Sequence, residues 1–132
     1  VDPACGDGRW LLAAGLRRPD LRLVGLDSDP LAIDAARETL QAHGVRAGLT
    51  VGDGLDPWPA TPDLVVGNPP FVRPQNLPRP VREALWARFS TATDKADLYT
   101  CFTERCLDAC DRVALVLPDG WLHLHSGAPV PG

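Results

Sequence analysis

The sequence has 132 residues, which suits one domain, and 45% of them are hydrophobic, enough for an ordinary buried core. Its formal net charge of -4 argues against a self-contained nucleic-acid-binding module, so any contact with nucleic acid has to be local or supplied by other segments. There is no long apolar run that predicts a membrane span and no signal-peptide pattern at the start, so we expect a cytoplasmic protein.

Short apolar runs alternate with amphipathic stretches along the chain, which predicts strands alternating with helices. In chain order we predict a strand ending at residues 1–2, a helix over 9–16, a strand over 21–26, a helix from Pro30 to Gly44 with Asp29 as its N-cap, strands over 47–51 and 63–67, an irregular proline-rich stretch over 71–80, helices over 81–89 and 96–110, and a strand over 113–117. The helix from Pro30 carries its apolar residues at Leu31, Ile33, Ala36 and Leu40. This order predicts an α/β fold, with a mostly parallel sheet covered by helices on both faces, over residues 1–126, and a frayed tail over 127–132.

The turn after the first predicted strand, D-P-A-C-G-D-G at residues 2–8, indicates a ligand loop. Its Gly6 and Gly8 allow close approach of the backbone, and Asp27 ends the second strand, where an acid binds the ribose hydroxyls of a nucleoside. A dinucleotide site shares these features, but Leu11 replaces the third glycine of its motif and the acids flanking the loop would repel a pyrophosphate. The turns hold five acids, Asp2, Asp7, Asp27, Asp29 and Asp53. This cluster favours a cationic ligand such as S-adenosylmethionine, although ordinary turn and cap roles stay open for Asp7, Asp29 and Asp53.

A second site is predicted at Asn68-Pro69-Pro70-Phe71, directly after a buried strand. The two prolines fix the backbone and lack N–H donors, so the turn presents the Asn68 oxygen and proline carbonyls as acceptors. Such acceptors suit an NH2 group, and the ring of Phe71 is suited to stack on a planar base. A plain turn with a core phenylalanine is the alternative.

The cysteines and histidines do not predict a metal site. The four cysteines, Cys5, Cys101, Cys106 and Cys110, form no C-x-x-C pair, and we expect reduced thiols. Cys106 and Cys110 are four residues apart on a predicted helix, but no His completes a metal site nearby, so we expect both to be buried apolar cysteines. His123 and His125 have no third ligand in view, so no metal is predicted there.

The ordered motifs resemble a known family. D-P-A-C-G-D-G, the acids Asp27 and Asp53, N-P-P-F and D-L-Y-T-C-F-T-E-R at residues 97–105 occur in this order. Together they resemble the amino-methyltransferases of restriction–modification systems, especially the type I and type IIG N6-adenine-specific DNA methyltransferases. N-P-P-F-V-R and A-L-V-L-P-D-G-W-L at residues 114–122 resemble the type IIG branch. The resemblance covers nearly the whole chain.

The resemblance implies a Rossmann-like class I methyltransferase fold with S-adenosylmethionine as cofactor. It implies a cofactor site made of Asp2, which would hold the methionyl end, and of Ala4, Gly6, Gly8, Asp27, Ser28, Asp53, Gly54 and Phe102. It further implies that Asn68 and the Pro69 carbonyl, on a backbone fixed by Pro70, bind the target amino group, and that Phe71 stacks on the target adenine.

The sequence departs from the family pattern at both ends. Only Val1 and Asp2 precede the first loop, and the last strand pair and a target-recognition domain are not found, so we expect a truncated core whose DNA contacts depend on other segments. Residues 71–95 hold five basic residues against two acidic ones, a possible phosphate-binding surface or only a solvated helix face, namely Arg73, Arg79, Arg82, Arg88 and Lys95. An RNA-base methyltransferase, a glutamine methyltransferase and an inactive S-adenosylmethionine-binding fragment remain alternatives.

Overall fold

The computed structural model describes residues 1–70, 72, 74–90 and 98–117, and all strand pairing within these ranges is parallel. The elements in chain order are α1 (Arg9–Arg17), β1 (Leu23–Asp27), α2 (Pro30–Ala42), β2 (Ala47–Val51), β3 (Val65–Gly67), a 3-10 turn (Pro74–Asn76), α3 (Arg79–Arg88), α4 (Leu98–Ala109) and β4 (Val113–Leu115). The predicted α/β class is therefore confirmed. The predicted tail lies outside the described residues, and in the described ranges no helix has the length and hydropathy needed to cross a bilayer.

The first two residues join two strand pairs into one parallel arrangement. β1 pairs with β2 in the register Leu23–Ala47 to Asp27–Val51, and β3 pairs with β4 in the register Val65–Val113 to Gly67–Leu115. On one side, the Asp2 amide donates to the Val24 carbonyl and the Leu26 amide donates to the Asp2 carbonyl, each at 2.9 Å. On the other side, the Val66 amide donates to the Val1 carbonyl at 3.0 Å. The spatial order is therefore β2, β1, residues 1–2, β3, β4, and the predicted strand end at residues 1–2 is confirmed.

This order makes residues 1–2 the point where the chain reverses its direction across the sheet. From there the chain winds outwards through β1 and β2, and then crosses to the other side for β3 and β4. Because parallel crossovers are right-handed, α1 and α2 lie on one face of the sheet and α4 lies on the other. In open α/β sheets, ligands bind at such a switch point, beyond the carboxyl ends of the strands.

Two hydrophobic clusters match the two faces. One joins α1 and α2 to the sheet through Cys5, Leu11, Leu23, Ile33 and Leu40. The other joins α3 and α4 to the loop after β2 through Leu55, Leu85, Phe89, Cys101 and Phe102. Helices therefore cover both faces, as the sequence predicts.

Helix α2 begins and ends as predicted but buries a narrower face. The Asp29 side chain accepts a hydrogen bond from the Leu31 amide, Pro30 occupies the first turn, and Gly44 beyond the helix has a φ of 68°. The sequence places Leu31 among the apolar positions of this helix, but Leu31 is 76% exposed and does not belong to the core. Leu31 lies two residues from the buried Ile33, about 200° around the helix, and therefore faces solvent.

Several predicted boundaries are shifted by about two residues. β1 begins at Leu23 rather than residue 21, and β3 begins at Val65 rather than residue 63, with Leu64 exposed. β3 is short because its ladder with β4 has only three residue pairs. Helix α3 begins at Arg79, inside the stretch predicted to be irregular, because a proline in the first turn of a helix needs no amide donor.

Candidate functional site

A cavity of about 290 Å³ opens at the carboxyl ends of the strands, on both sides of the switch point. Its lining consists of Pro3, Ala4, Asp27, Ser28, Asp53, Gly54, Asn68, Pro70 and Phe102. All of these except Pro3 are predicted site residues, so the structure brings together four separate turns of the sequence. Another cavity of about 260 Å³ lies at the opposite ends of the strands between Leu11, Leu23 and Leu64, where this kind of sheet does not bind ligands.

Asp27 connects the first loop to the start of α2. Its Oδ2 accepts a hydrogen bond from the Gly6 amide and its Oδ1 accepts one from the Asp29 amide, both at 2.9 Å. Each carboxylate oxygen has two lone pairs, so both can accept a further donor from the cavity side. The half-buried Asp27 can therefore hold the loop and still accept hydrogen bonds from two neighbouring hydroxyl groups.

Gly6 and Gly8, the two glycines of the first loop, are required for different structural reasons. Both have positive φ, 53° at Gly6 and 84° at Gly8. A Cβ at Gly6 would meet open space, which fits the predicted close approach of a ligand. A Cβ at Gly8 would lie 3.1 Å from the Cβ of Ala36, so this glycine allows α1 to pack against α2. Gly8 therefore has a packing role, and because neither glycine is among the residues that line the cavity, the contact of both with a ligand stays a prediction.

Asp2 lies beneath the loop and is completely buried. Its Oδ1 accepts a hydrogen bond from the Ala4 amide at 3.1 Å, while its Oδ2 has no partner among the described residues. Burial raises the pKa of Asp2 to about 7, although the Ala4 amide acts in the opposite direction. Asp2 does not line the cavity, so its contact with a methionyl group stays a prediction.

The turn after β2 meets two other segments at Gly54. A Cβ at Gly54 would overlap the Pro3 carbonyl oxygen and lie 2.8 Å from Cε1 of Phe102. The neighbouring Asp53 is exposed, and its Oδ1 accepts a hydrogen bond from the Leu55 amide at 2.9 Å. The turn therefore presents a carboxylate at the cavity wall beside a nearly buried aromatic ring.

The Asn68-Pro69-Pro70 turn forms the opposite wall. The preceding strand is fixed by a hydrogen bond of 2.9 Å from the Val116 amide to the Gly67 carbonyl. Asn68 is exposed, Pro69 is buried and Pro70 is half-buried, so the amide of Asn68 is accessible at the rim. Phe71 lies outside the described residues, and its stacking role stays a prediction.

Two of the remaining acids have local structural roles. Asp7 pairs with Arg9 at 2.9 Å on the exposed surface, and Asp29 caps α2. For both residues, the turn and cap roles that the sequence left open are the ones the structure shows. The acids at the cavity wall are Asp27 and Asp53.

The basic segment is only partly free to meet phosphates. Arg79 pairs with Glu83 at 2.8 Å, and Arg88 pairs with Asp56 at 3.2 Å. The Arg82 guanidinium lies 6.0 Å from the ring centroid of Trp86. Arg73 and Lys95 lie outside the described residues.

The cysteines offer no activated nucleophile. Cys106 is buried, as predicted, and so are Cys5 and Cys101, whereas Cys110, which was also predicted to be buried, is only half-buried. Burial raises the pKa of Cys5 and Cys106 to about 12 and that of Cys101 to about 11, so these thiols stay protonated at neutral pH. Among the described residues, no His, Cys, Asp and Glu side chains form a group that could hold a metal ion.

Sequence reasoning missed the residues that hold the turn after β2. Trp58 donates a hydrogen bond to the Gly54 carbonyl, and Arg105 stacks on Trp58 from α4. A tryptophan between two prolines has no motif that predicts this contact, and Arg105 is 47 positions further along the sequence. Only the three-dimensional arrangement reveals the pair.

Two family models match the chain. The Eco57I restriction-modification methylase model matches residues 61–130, and the methyltransferase small domain model matches residues 1–95. Each matched range covers more than half of the 132 residues.

Curated relatives include a type II methyltransferase and two ribosomal RNA methyltransferases. The type II methyltransferase M.XhoI of Xanthomonas vasicola is 35% identical over 116 residues, which cover 75% of this chain and 21% of that protein. The ribosomal RNA small subunit methyltransferase C of Stutzerimonas stutzeri is 41% identical over 73 residues, covering 54% of this chain and 21% of that protein. The ribosomal RNA large subunit methyltransferase G of Streptomyces griseus is 43% identical over 75 residues, which cover 54% of this chain and 20% of that protein. The chain thus spans about a fifth of the length of these relatives.

A solved structure matches the fold over almost the whole chain. A protein of Listeria monocytogenes assigned to the class I S-adenosylmethionine-dependent methyltransferases superimposes with a TM-score of 0.80 at 21% identity. The match covers 98% of this chain and 42% of that one. At this identity the likeness shows the fold.

Proposed function

This chain belongs to the Eco57I family of restriction–modification methylases, with the class I S-adenosylmethionine-dependent fold, and on that premise we propose that it methylates the exocyclic amino group of adenine in DNA. One observation carries the proposal. Asn68 and Pro70, the acceptor-rich turn, border the same cavity as Asp27, Asp53 and Phe102. A target amino group held at the turn would therefore lie next to the cofactor.

The cavity fits S-adenosylmethionine, the cofactor of this class. The carboxylates of Asp27 and Asp53 give its wall a negative charge that suits a cation, and both are acceptors for hydroxyl or amino donors. The ring of Phe102 offers an aromatic face on the same wall. When bound, the cofactor supplies an electrophilic methyl group on sulfur.

The turn supplies the other half of the reaction. The lone pair of adenine's amino group is delocalised into the ring, which makes the nitrogen a poor nucleophile. Acceptors that hold its hydrogens, the Asn68 oxygen and the Pro69 carbonyl, favour a tetrahedral nitrogen as positive charge develops. In this reaction the nitrogen would take the methyl group as its bond to sulfur breaks, leaving a neutral thioether, and would release one proton to solvent. Most of the rate then comes from holding nitrogen and methyl in line.

A base in duplex DNA has to leave the stack to reach this cavity. Extrusion costs roughly a few kcal/mol, which stacking and hydrogen bonds in the pocket must offset. Phe71 is proposed as the stacking surface. Arginines of the segment 71–95, among them the half-buried Arg82, are proposed to meet the DNA backbone together with segments that recognise the target sequence.

The decisive test is Asn68→Ala. The substitution removes the amide oxygen of Asn68, an acceptor that matters most as the amino nitrogen of adenine gains positive charge. We therefore expect kcat to fall about 100-fold, while the dissociation constant for S-adenosylmethionine changes little. The assay is methyl transfer to duplex DNA with identification of the product nucleoside. Asn76→Ala is the matched control, because Asn76 is exposed on the 3-10 turn and outside the cavity. Full turnover by Asn68→Ala, or N6-methyladenine missing from the product, would overturn the proposal.

Ribosomal RNA is a second candidate substrate, favoured by the identity of 41% and 43% to the two ribosomal RNA methyltransferases. An acceptor-rich turn suits an amino group on any base, so the cavity itself does not discriminate between DNA and RNA. Parallel assays with duplex DNA and with ribosomal RNA separate the two. Methylated RNA without methylated DNA would establish the second candidate, and methylated protein would point to a glutamine amide instead.

A further inference from the structure

The turn after β2, residues 53–58, is held in place by side chains outside the cavity. The indole Nε1–H of Trp58 donates a hydrogen bond of 2.7 Å to the Gly54 carbonyl, folding the turn back on itself. Above the indole lies the guanidinium of Arg105, with Cζ 4.5 Å from the ring centroid. Arg105 also reaches the Asp56 carbonyl at 3.5 Å. Helix α4, which carries the cavity residue Phe102, thus also grips this turn.

Helix α3 also binds the turn after β2, through Arg88. Arg88 donates from Nη2 to the Leu55 carbonyl at 2.7 Å and from Nη1 to Asp56 Oδ1 at 3.2 Å. Its guanidinium also lies 5.2 Å from the ring centroid of the buried Phe89. Because it is already bound at several atoms, Arg88 is a poor candidate for a phosphate contact.

These contacts determine the shape that the cavity residues take. Inside the turn, Asp53 Oδ1 accepts from the Leu55 amide at 2.9 Å, and the Asp53 carbonyl accepts from the Asp56 amide at 3.0 Å. The two carbonyls that would otherwise be left to water, those of Gly54 and Leu55, are bound by Trp58 and Arg88. The carbonyls of Asp53, Gly54 and Leu55 are thus bound by residues that do not line the cavity, namely Asp56, Trp58 and Arg88.

We propose that Trp58, Arg88 and Arg105, here called the loop clamp, are positioning residues that hold Asp53 and Gly54 in the shape that binds the cofactor. The proposal rests on the assignment of the cavity to S-adenosylmethionine. It gives Arg88 and Arg105 a role at the cofactor rather than at the nucleic acid. Loss of the clamp should weaken cofactor binding and leave the transfer step itself almost unchanged.

The first test is Trp58→Phe, which keeps a ring under Arg105 but removes the donor to Gly54. Losing one hydrogen bond should speed hydrogen exchange of the Leu55 and Asp56 amides about three- to tenfold without any ligand. The dissociation constant for S-adenosylmethionine, measured by calorimetry, should rise by a similar factor, while kcat at saturating cofactor stays within about twofold. Trp86→Phe is the control, since Trp86 is 40% exposed on α3 and does not touch the turn.

The second test is Arg88→Lys. A lysine cannot reproduce the fork that binds a carbonyl and a carboxylate together, so exchange at the same amides should again accelerate. Arg79→Lys is matched to it, because Arg79 lies on the same helix and its ion pair with Glu83 is local. This control should leave both exchange and cofactor affinity at the wild-type level.

The outcomes separate the clamp from the cofactor assignment. Wild-type exchange rates at Leu55 and Asp56 in both Trp58→Phe and Arg88→Lys would overturn the clamp, whether or not the cofactor binds. Faster exchange with unchanged cofactor affinity would overturn its role in binding. If the wild-type chain failed to bind S-adenosylmethionine, the assignment of the cavity would be wrong, and the exchange data would still decide whether the clamp holds the turn.

Discussion

Gly54 sits where three segments of the site meet, and its missing side chain is what lets them approach. Gly54→Ala would force the Pro3 carbonyl or the Phe102 ring to move. We expect a loss of about 1–3 kcal/mol in the free energy of unfolding, as for other overpacked sites, together with weaker cofactor binding. Urea unfolding and calorimetry measure the two effects. Gly52→Ala is the control, because a Cβ there has Thr50 Cγ2 at 4.0 Å as its nearest neighbour. Equal behaviour of the two variants would contradict the packing argument.

Asp2 makes stability depend on pH in a direction opposite to that of most carboxylates. Burial raises its folded-state pKa to about 7 from the ordinary value of 3.8 for an aspartate. Below the lower value the carboxyl is neutral in both states. As the pH rises towards 7, the unfolded chain ionises first, so this group lowers the free energy of unfolding until the folded pKa is passed.

Asp2→Asn keeps the shape and removes the titration. The stability of the Asn variant relative to wild type should therefore increase between about pH 4 and about pH 7, and then level off. Urea unfolding of both proteins across this range measures the difference. A difference that stays constant with pH, or one that shrinks as the pH rises, would rule out a buried protonated Asp2.

At the scale of single residues, the sequence predicted which residues lie at the site better than it predicted why each of them is needed there. Asp27 and Asp53 were recognisable because Asp27 is the last residue of a strand and Asp53 comes two residues after one, and strand ends determine where a side chain reaches the cavity. The sequence identified Gly8 as a position that requires glycine. The contact with Ala36 that explains this requirement depends on how two helices pack, which the sequence does not show. The complete burial of Asp2 also depends on neighbours distant in the sequence, including Gly67.

Among the elements, α2 shows how local chemistry sets a boundary. The Asp29 carboxylate satisfies the Leu31 amide at 2.9 Å, one of the donors left free at a helix start. Asp29→Ala should therefore cost about 0.5–2 kcal/mol of stability. The measurement is urea unfolding, with Asp34→Ala as control, because Asp34 lies exposed on the same helix and only pairs with Arg37. An equal loss for both variants would mean that charge rather than capping explains the effect.

The helices and strands whose bounds are set by residues of their own segment, such as a capping residue, a proline or a glycine, were predicted best. β2 has the predicted bounds, Ala47–Val51, and α2 has its cap, proline and glycine where expected. Elements limited by a partner were predicted less well. β3 is as short as its ladder with β4 allows, and Leu64, although apolar, stays exposed beyond it. Pairing length is a property of two segments and cannot be read from one.

At the scale of the whole molecule, the ordered motifs predicted the fold class and almost the entire lining of the cavity. The topology explains why, because four of the motifs lie at strand ends and the parallel sheet collects those ends on one edge, where α4 adds Phe102. The loop clamp was not predictable. Its hydrogen bonds join Arg88 to Leu55 and Arg105 to Asp56, residues 33 and 49 positions apart. No local pattern encodes such contacts.

The cavity also links the two sides of the sheet, which meet through residues 1–2 and through the turn after β2 that α3 and α4 contact. Asp27 and Ser28 lie at the end of β1 on one side, while Asn68 follows β3 on the other. One hydrophobic cluster packs α1 and α2 on the sheet, and the other packs α3 and α4 on Leu55 of the turn after β2. A ligand that touches both sides should stabilise both at once. At about 100 times its dissociation constant, S-adenosylmethionine should add roughly 2.7 kcal/mol to the free energy of unfolding.

Hydrogen exchange tests this coupling strand by strand. With the cofactor, amide protection should rise together in β2 and in β4, although neither strand lies next to the other in the sheet. Asp27→Ala, which removes a cavity carboxylate that also holds the Gly6 amide, should reduce the gain in both strands at the same cofactor concentration. If protection rose in β2 alone, the cofactor would be bound by one half only, and the cavity would not act as the joint between the two halves of the sheet.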